Sequence, residues 1–214
     1  MTCMMQVQEM FMSKDLPNLS IYETHVETCQ FQLNSDPNNV IYGKITINRE
    51  LESVAQIYST YFQNVNSQSH KVLQQQFIFA KKYFSIDSDQ NLFSNQQSVT
   101  YKLHQVAKSP VPLIVAHRQL FLQVDLQNHG DQILFSMKSI DNDFCDAQKN
   151  AVTGNCKGII IKFVKQGDQT TVSQYFWIDP NGNIPAKIYN LGLNQSNDFL
   201  LLLKKCCEGA IKLE

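Results

Sequence analysis

The segment from Trp177 to Asn190, W-I-D-P-N-G-N-I-P-A-K-I-Y-N, constrains the fold more than any other, because it must end a strand, reverse the chain and start a helix. Asp179-Pro180-Asn181-Gly182 is a turn cluster in which Pro presets φ and Asn or Gly accepts a positive φ. Pro185 suits the first turn of a helix, where its missing N–H is not needed. Apolar residues then recur on one side, at Ile184, Ile188, Leu191, Phe199 and Leu202, which predicts a long terminal helix from Ile184 to Cys207.

Most of the preceding chain alternates apolar and polar residues. Ile21 to Leu33 and Val40 to Ile47 read as a hairpin across Asn34-Ser-Asp-Pro-Asn-Asn. Further strands are expected over Phe77–Ile86, Ser98–Val106, Arg118–Leu126, Gln132–Ile140, Gly158–Val164 and Thr171–Ile178, separated by breaks such as Asn128-His-Gly and Gln166-Gly-Asp. Between the two groups, Asn48 is an expected cap for a helix whose apolar side is Leu51, Val54, Ala55, Tyr58 and Phe62. About eight strands, one internal helix and one long terminal helix describe an α+β domain, an antiparallel sheet wrapped around a helix. Asp141 to Asn155 is the longest late loop, and no internal repeat or interdomain linker breaks the pattern.

Composition narrows the function classes. With 214 residues and 43% hydrophobic content, the chain can bury the core of one domain. A formal net charge of -1 with 17% charged residues supplies no field for nucleic acid or another polyanion. Asn and Gln, roughly a fifth of the chain, are scattered and make no low-complexity tract. The first fifteen residues lack a secretory or mitochondrial pattern, so a cytoplasmic location is expected, with a mitochondrial one through a less obvious signal as the alternative.

The six cysteines, Cys3, Cys29, Cys145, Cys156, Cys206 and Cys207, form no C-x-x-C pair and no zinc spacing with His, and reduced thiols are expected. Cys206-Cys207 beside Lys204-Lys205 could be an acylation site, but Cys206 continues the apolar side of the helix, and a packed residue is the better reading. No nucleophile motif, phosphate loop or paired inward carboxylates mark an enzyme, and no cofactor or metal is expected. His104 and His117 are expected on exposed strand faces.

Strand parity selects the inward side chains. Tyr101 and Leu103 oppose Lys102 and His104; Phe135 and Met137 oppose Ser136 and Lys138; Ile159, Ile161 and Phe163 oppose Lys162. Arg118 shares the parity of Leu120 and Leu122, so its guanidinium must find partners on an apolar face. The space inside such a sheet is either filled by side chains or left as a cavity for a hydrophobic ligand.

The strand, turn and helix around Trp177–Asn190 resemble those of START domains, the lipid-transfer domains related to steroidogenic acute regulatory protein. So do Val99-Thr-Tyr-Lys-Leu, Lys108-Ser-Pro-Val-Pro, Ala116-His-Arg-Gln-Leu-Phe-Leu and Lys157-Gly-Ile-Ile-Ile, in order and spacing from about Ile21 to Cys207. The resemblance implies a helix-grip fold over residues 21–214, after an N-terminal segment 1–20 with a short helix. In that segment Met4, Met5, Met10 and Met12 with Phe11 are an expected partner strip or a helix packed on its own domain. It also implies a cavity, lined by Tyr101, Leu103, Arg118, Leu120, Leu122, Phe135, Met137, Ile159, Ile161, Phe163, Phe176, Ile188 and Leu191, that takes a sterol, phospholipid or other lipid and meets membranes transiently. The Asp141–Asn155 loop would lie at its mouth, and the lipid is a ligand, not a cofactor.

Arg118 matches the Arg of the family's Arg-Asp-aromatic motif, but Gln119 and Leu120 replace its other two members, and Asn64–His70 lacks the family's Trp-Asp pair. Hydrogen bonds from Arg118 to backbone carbonyls are therefore expected before contact with a lipid head group. A second class of function, a START fold kept as a scaffold in a larger protein assembly, is the alternative.

Overall fold

The computed structural model describes residues 16, 18–23, 25–32, 39–71, 73–83 and 98–212, without the side chains of 75–76, 186–187 and 189–194. The Met-rich strip, Cys3 and the side chain of Leu191 lie outside the described residues, as does most of segment 1–20. Among the described residues ten strands form one sheet: β1 (Ser20–Tyr22), β2 (Val26–Gln32), β3 (Asn39–Ile47), β4 (Phe77–Tyr83), β5 (Ser98–Ala107), β6 (His117–Asn128), β7 (Gln132–Ser139), β8 (Ala151–Thr153), β9 (Asn155–Gln166) and β10 (Gln169–Asp179). Their order is β1-β2-β3-β10-β9-β7-β6-β5-β4, antiparallel throughout this path, with β8 paired in parallel to β6. Helix α1 (Leu51–Ile57) runs on as a π-helical turn over Tyr58–Phe62, and α2 (Ala186–Cys207) is the long terminal helix. The result is the expected α+β arrangement, a curved antiparallel sheet holding a C-terminal helix.

Local chemistry explains the turns. The β9–β10 hairpin has a two-residue loop whose first member, Gly167, takes φ 62°, the positive value that primed hairpin turns need. At the end of β10, Asn181 takes φ 53° and its N–H donates to Asp179 Oδ1 at 2.9 Å, so the turn cluster ahead of α2 behaves as its composition predicts.

The two faces of the sheet carry different loads. Inward residues such as Leu103, Leu122, Ile133, Phe135 and Phe163 join α1 and the second half of α2 in the main core. A smaller cluster of Cys29, Val40, Tyr42, Leu134, Ile160 and Tyr175, of opposite strand parity, lies on the other face. Phe199, Leu200, Leu202 and Leu203 of α2 are all buried on the inward side, and each contributes about 1.5–3 kcal/mol by leaving water. Cys206 and Cys207 are buried there too, with thiols pushed up by burial to about 11 and about 12 respectively. Both are packed residues.

Several expectations need correction. Ile21–Leu33 is not one strand, because Glu23 adopts φ 45° and divides it into β1 and β2. Helix α1 is capped at Glu50 rather than Asn48, whose side-chain oxygen accepts from Gln169 and whose N–H donates to Glu208. Helix α2 starts at Ala186, with Pro185 as its N-cap and Ile184 outside it. His104 is 1% exposed, stacked on Phe121 at 4.6 Å, and His117 is half-buried with Nδ1 accepting the Ser109 N–H.

His104 is buried by the rings of Phe79 and Phe121, 5.2 and 4.6 Å away, on the same face as the loop after β7. That loop folds over the sheet's outer face: Asp143 pairs with Lys102 at 2.6 Å, and Phe144 packs against Tyr83 and Phe121. Gln119 holds the same loop, accepting the Gln148 N–H and donating to the Ala151 carbonyl, while its Oε1 also meets His104 Nε2. Cys145 and Cys156 both remain free thiols.

Gly43 on β3 sets how closely α2 can approach. A Cβ there would stand 2.9 Å from Leu200 Cδ1 and 3.0 Å from Asn197 Oδ1. Gly43→Val is expected to cost about 1–3 kcal/mol, the usual penalty for overpacking. Urea unfolding checks it; an undiminished midpoint would mean that α2 does not seat on β3 as described.

Candidate functional site

The first half of α2 does not close down on the sheet. Between them is a cavity of about 220 Å³, bordered by Met137, Ile159, Ile161, Phe176 and Ile178 from the strands, Tyr58 and Phe62 from the helix after β3, and Ile188 and Phe199 from α2. Burial orients it. Tyr58, Phe62, Met137, Ile161 and Phe199 are buried and form the floor, whereas Lys108, Pro110 and Ala116 of the β5–β6 loop are exposed and form the rim. Ser109, Gln105, Asn39, Gln195 and Ser196 are the neutral polar groups on the lining.

Six of the residues singled out from the sequence border this space: Arg118, Met137, Ile159, Ile161, Phe176 and Ile188. Tyr101, Leu103, Leu120, Leu122, Phe135 and Phe163 are buried in the core and do not border it. For three of them the filling group is visible. The Tyr58 ring lies edge-on to Phe135 at 4.9 Å and 5.7 Å from Phe163, and the Tyr101 hydroxyl donates to Gln63, whose side-chain amide donates to the Tyr58 hydroxyl. The helix after β3 thus fills one part of the concave face and leaves the rest open.

Sequence reasoning left Tyr58, Phe62, Ile41 and the β5–β6 loop out of the lining. Tyr58 and Phe62 carry only the ordinary signature of a packed helix side, and the π-helical turn that presents both has no sequence signal. The loop did have one, since Pro110-Val-Pro-Leu-Ile-Val crowds apolar residues into a connection that should be polar. No residue from 141 to 155 borders the cavity, so that loop is not its mouth; its contacts hold it to the outer face.

Arg118 stands where β6 begins. Its Nε donates to Pro180 O at 2.6 Å, its Nη1 to Ala116 O at 2.6 Å and, more distantly, to His117 O at 3.5 Å, and its Nη2 to Asn181 O at 3.1 Å. Partial burial lowers its pKa, yet a guanidinium stays charged under all ordinary conditions. These bonds tie the rim of the cavity to the turn before α2, with carbonyls as the partners. Among the described residues no group of three or more His, Cys, Asp or Glu is placed to hold a metal ion.

Because the fork reaches Pro180 and Asn181 together, Arg118→Ala is expected to lose about 1–3 kcal/mol, the range for charge-assisted hydrogen bonds. Arg118→Lys, with one point donor, should recover only part of it. Denaturant titration of both variants decides the matter. Full stability in Arg118→Ala would show that the side chain is held for something other than the turn.

No protein-family profile matches the chain, and no curated protein is significantly similar to it in sequence. Solved structures do match. Human StAR-related lipid transfer protein 5 aligns with a TM-score of 0.73 at 14% identity, over 97% of this chain and 95% of that one. The lipid transfer and protein localization domain of human StarD13 aligns at 0.65 and 11% identity, covering 99% and 98%. A STAR-related lipid transfer protein from Xanthomonas axonopodis aligns at 0.64 and 14% identity, covering 87% and 96%. At these identities the shared property is the fold: the chain has the α+β helix-grip architecture of those lipid transfer domains.

Proposed function

We propose that the chain binds one lipid between its sheet and α2 and carries it between membranes. The observation that carries the reading is the unfilled apolar cavity with one exposed rim, in the fold of proteins described as lipid transfer domains. An apolar ligand entering that space gains roughly 25 cal/mol for each Å² it removes from water, offset in part by the cost of opening the cover. In this reading the chain works as a cytoplasmic carrier whose contact with membranes is transient.

The lining also supports a ligand whose buried part is uncharged. Arg118, the cation on the wall, is already bonded to carbonyls, and the remaining interior polar groups are neutral amides and hydroxyls. Among the described residues a phosphate taken deep into the cavity would find no free partner charge, which costs far more than a hydroxyl or carbonyl that one amide can satisfy. A neutral lipid, or one whose charged head stays at the rim near Lys108, fits best.

Ile161→Arg and Ile161→Trp test the cavity in two ways, one by charge and one by volume. Each is expected to reduce the lipid recovered by extraction of the purified protein at least tenfold. The Trp variant guards against a loss that is only unfolding, and it should keep a cooperative thermal transition. Undiminished lipid in both variants would sink the cavity assignment.

A further inference from the structure

The sheet is open, and its two edges are finished differently. At the β4 edge Val65 pairs with Ala80, each N–H donating to the other's carbonyl at 2.8 Å, and Lys81 beside it is exposed. A capped edge with a lysine discourages pairing with another chain. At the opposite edge β1 carries no charge over Ser20-Ile-Tyr. Ile21 is 64% exposed, Leu19 is 42% exposed, and Ser20 between them is exposed as well.

The backbone of β1 is committed on one side. Tyr22 O accepts the His25 N–H at 3.3 Å, toward β2, and successive residues of a strand aim their N–H and C=O groups to alternate sides. Tyr22 and Ser20 therefore direct theirs toward β2, whereas Leu19 and Ile21 direct theirs out from the edge. Side chains alternate too. The Tyr22 hydroxyl reaches Asp198 of α2 on the inward side, which puts Leu19 and Ile21 on the outer face.

We infer that β1 pairs antiparallel with β1 of a second copy of this chain, in a two-fold register centred on Ser20. Leu19 of each copy then stands opposite Ile21 of the other, and their outward N–H and C=O groups answer one another as hydrogen-bonded pairs. Four aliphatic side chains that are exposed in the single chain meet on the outer face. Two features select a second copy as the occupant. The strand is self-complementary, since a two-fold axis through Ser20 sets aliphatic against aliphatic on both sides, as an isologous contact requires. Charge also permits it: residues 18–22 carry none, Glu23 with φ 45° turns the chain away before the first carboxylate, and the chain's net charge of -1 gives little long-range repulsion. The contact is short, so the dimer is reversible and depends on concentration. No residue of β1 borders the cavity, and the inference does not rest on the lipid reading.

Sedimentation velocity of the full chain, from low micromolar to several hundred micromolar, is expected to show a monomer giving way to a dimer. Ser20→Cys sets two thiols face to face across the axis, where α-carbons of a non-hydrogen-bonded pair lie about 4.5 Å apart, within disulfide reach. Mild oxidation should link that variant into a covalent dimer. Ile78→Cys, exposed on the β4 edge, should give no more cross-linking than the parent chain with its own cysteines. Ile21→Pro deletes an N–H that points out of the edge, a place where proline is tolerated, and should weaken dimerisation at least tenfold with the thermal midpoint unchanged at low concentration. Ile21→Val, which keeps the donor and most of the apolar surface, should dimerise as the parent does.

A chain that stays monomeric at the highest concentration would overturn the inference. So would a Ser20→Cys variant cross-linked no better than the parent, or a dimer that persists undiminished in Ile21→Pro, which would place the interface elsewhere. Should proline disturb the fold, Ile21→Lys repeats the test, because it keeps the backbone donor and puts a charge among the four aliphatic side chains; an undiminished dimer there counts equally against the pairing.

Discussion

The structure depends on how the C-terminal end of α2 is pinned to the sheet. Phe199, Leu200 and Leu203 are buried against the concave face, and Gly43 lets the helix come close. Polar ties complete the attachment: Arg49 Nη1 donates to Cys207 O at 2.8 Å, Lys204 Nζ to Thr46 O at 2.8 Å, and the Tyr22 hydroxyl to Asp198 at 2.7 Å. With this end fixed, the direction of the helix is set, and its first half must pass over whatever the sheet leaves beneath it. The cavity exists because that half spans a region that neither the helix after β3 nor the strands fill.

Two parts of the molecule frame that opening and behave differently. The floor is a set of packed rings, with Tyr58 against Phe135, Phe163 and Phe199, and Phe62 against Phe199 at 5.2 Å. Among these rings the polar groups belong to the Tyr58–Gln63–Tyr101 chain. The rim is made of turns: the β5–β6 loop and the Pro180–Asn181 turn, joined through Arg118. A rigid apolar floor with a turn-built rim is a sensible division for a container, since turns can shift without disturbing the core. The stretch after β7 borders no part of the cavity and meets this rim at Thr153, whose carbonyl accepts from Asn181 Nδ2 at 2.9 Å. Its aromatic and ionic contacts with the outer face make it a cover for the sheet's other side.

Much of the fold was legible, for a physical reason. Strands such as β6 and β7 alternate because one face is buried, and the turn before α2 uses residues that tolerate its backbone angles. What was not legible depended on contacts between distant elements. His104 has the parity of an exposed residue, and its burial comes from Phe79 on β4, from Phe121 and from Gln119, which also clasps the loop after β7. Strand β8 is three residues long, too short for a pattern. Within the site, Phe135 and Met137 are neighbours of the same parity on β7, yet one is packed under Tyr58 and the other borders the cavity. That difference is set by where a π-helical turn delivers one tyrosine ring, which no periodicity encodes.

The central claim is that the space under α2 holds a lipid that can leave. Native mass spectrometry of the protein purified from its own cells, before and after incubation with liposomes carrying isotope-labelled lipid, addresses it directly. The account predicts one lipid per chain and replacement of that lipid by the labelled one. A chain that is empty, or that keeps its original lipid throughout, would contradict it.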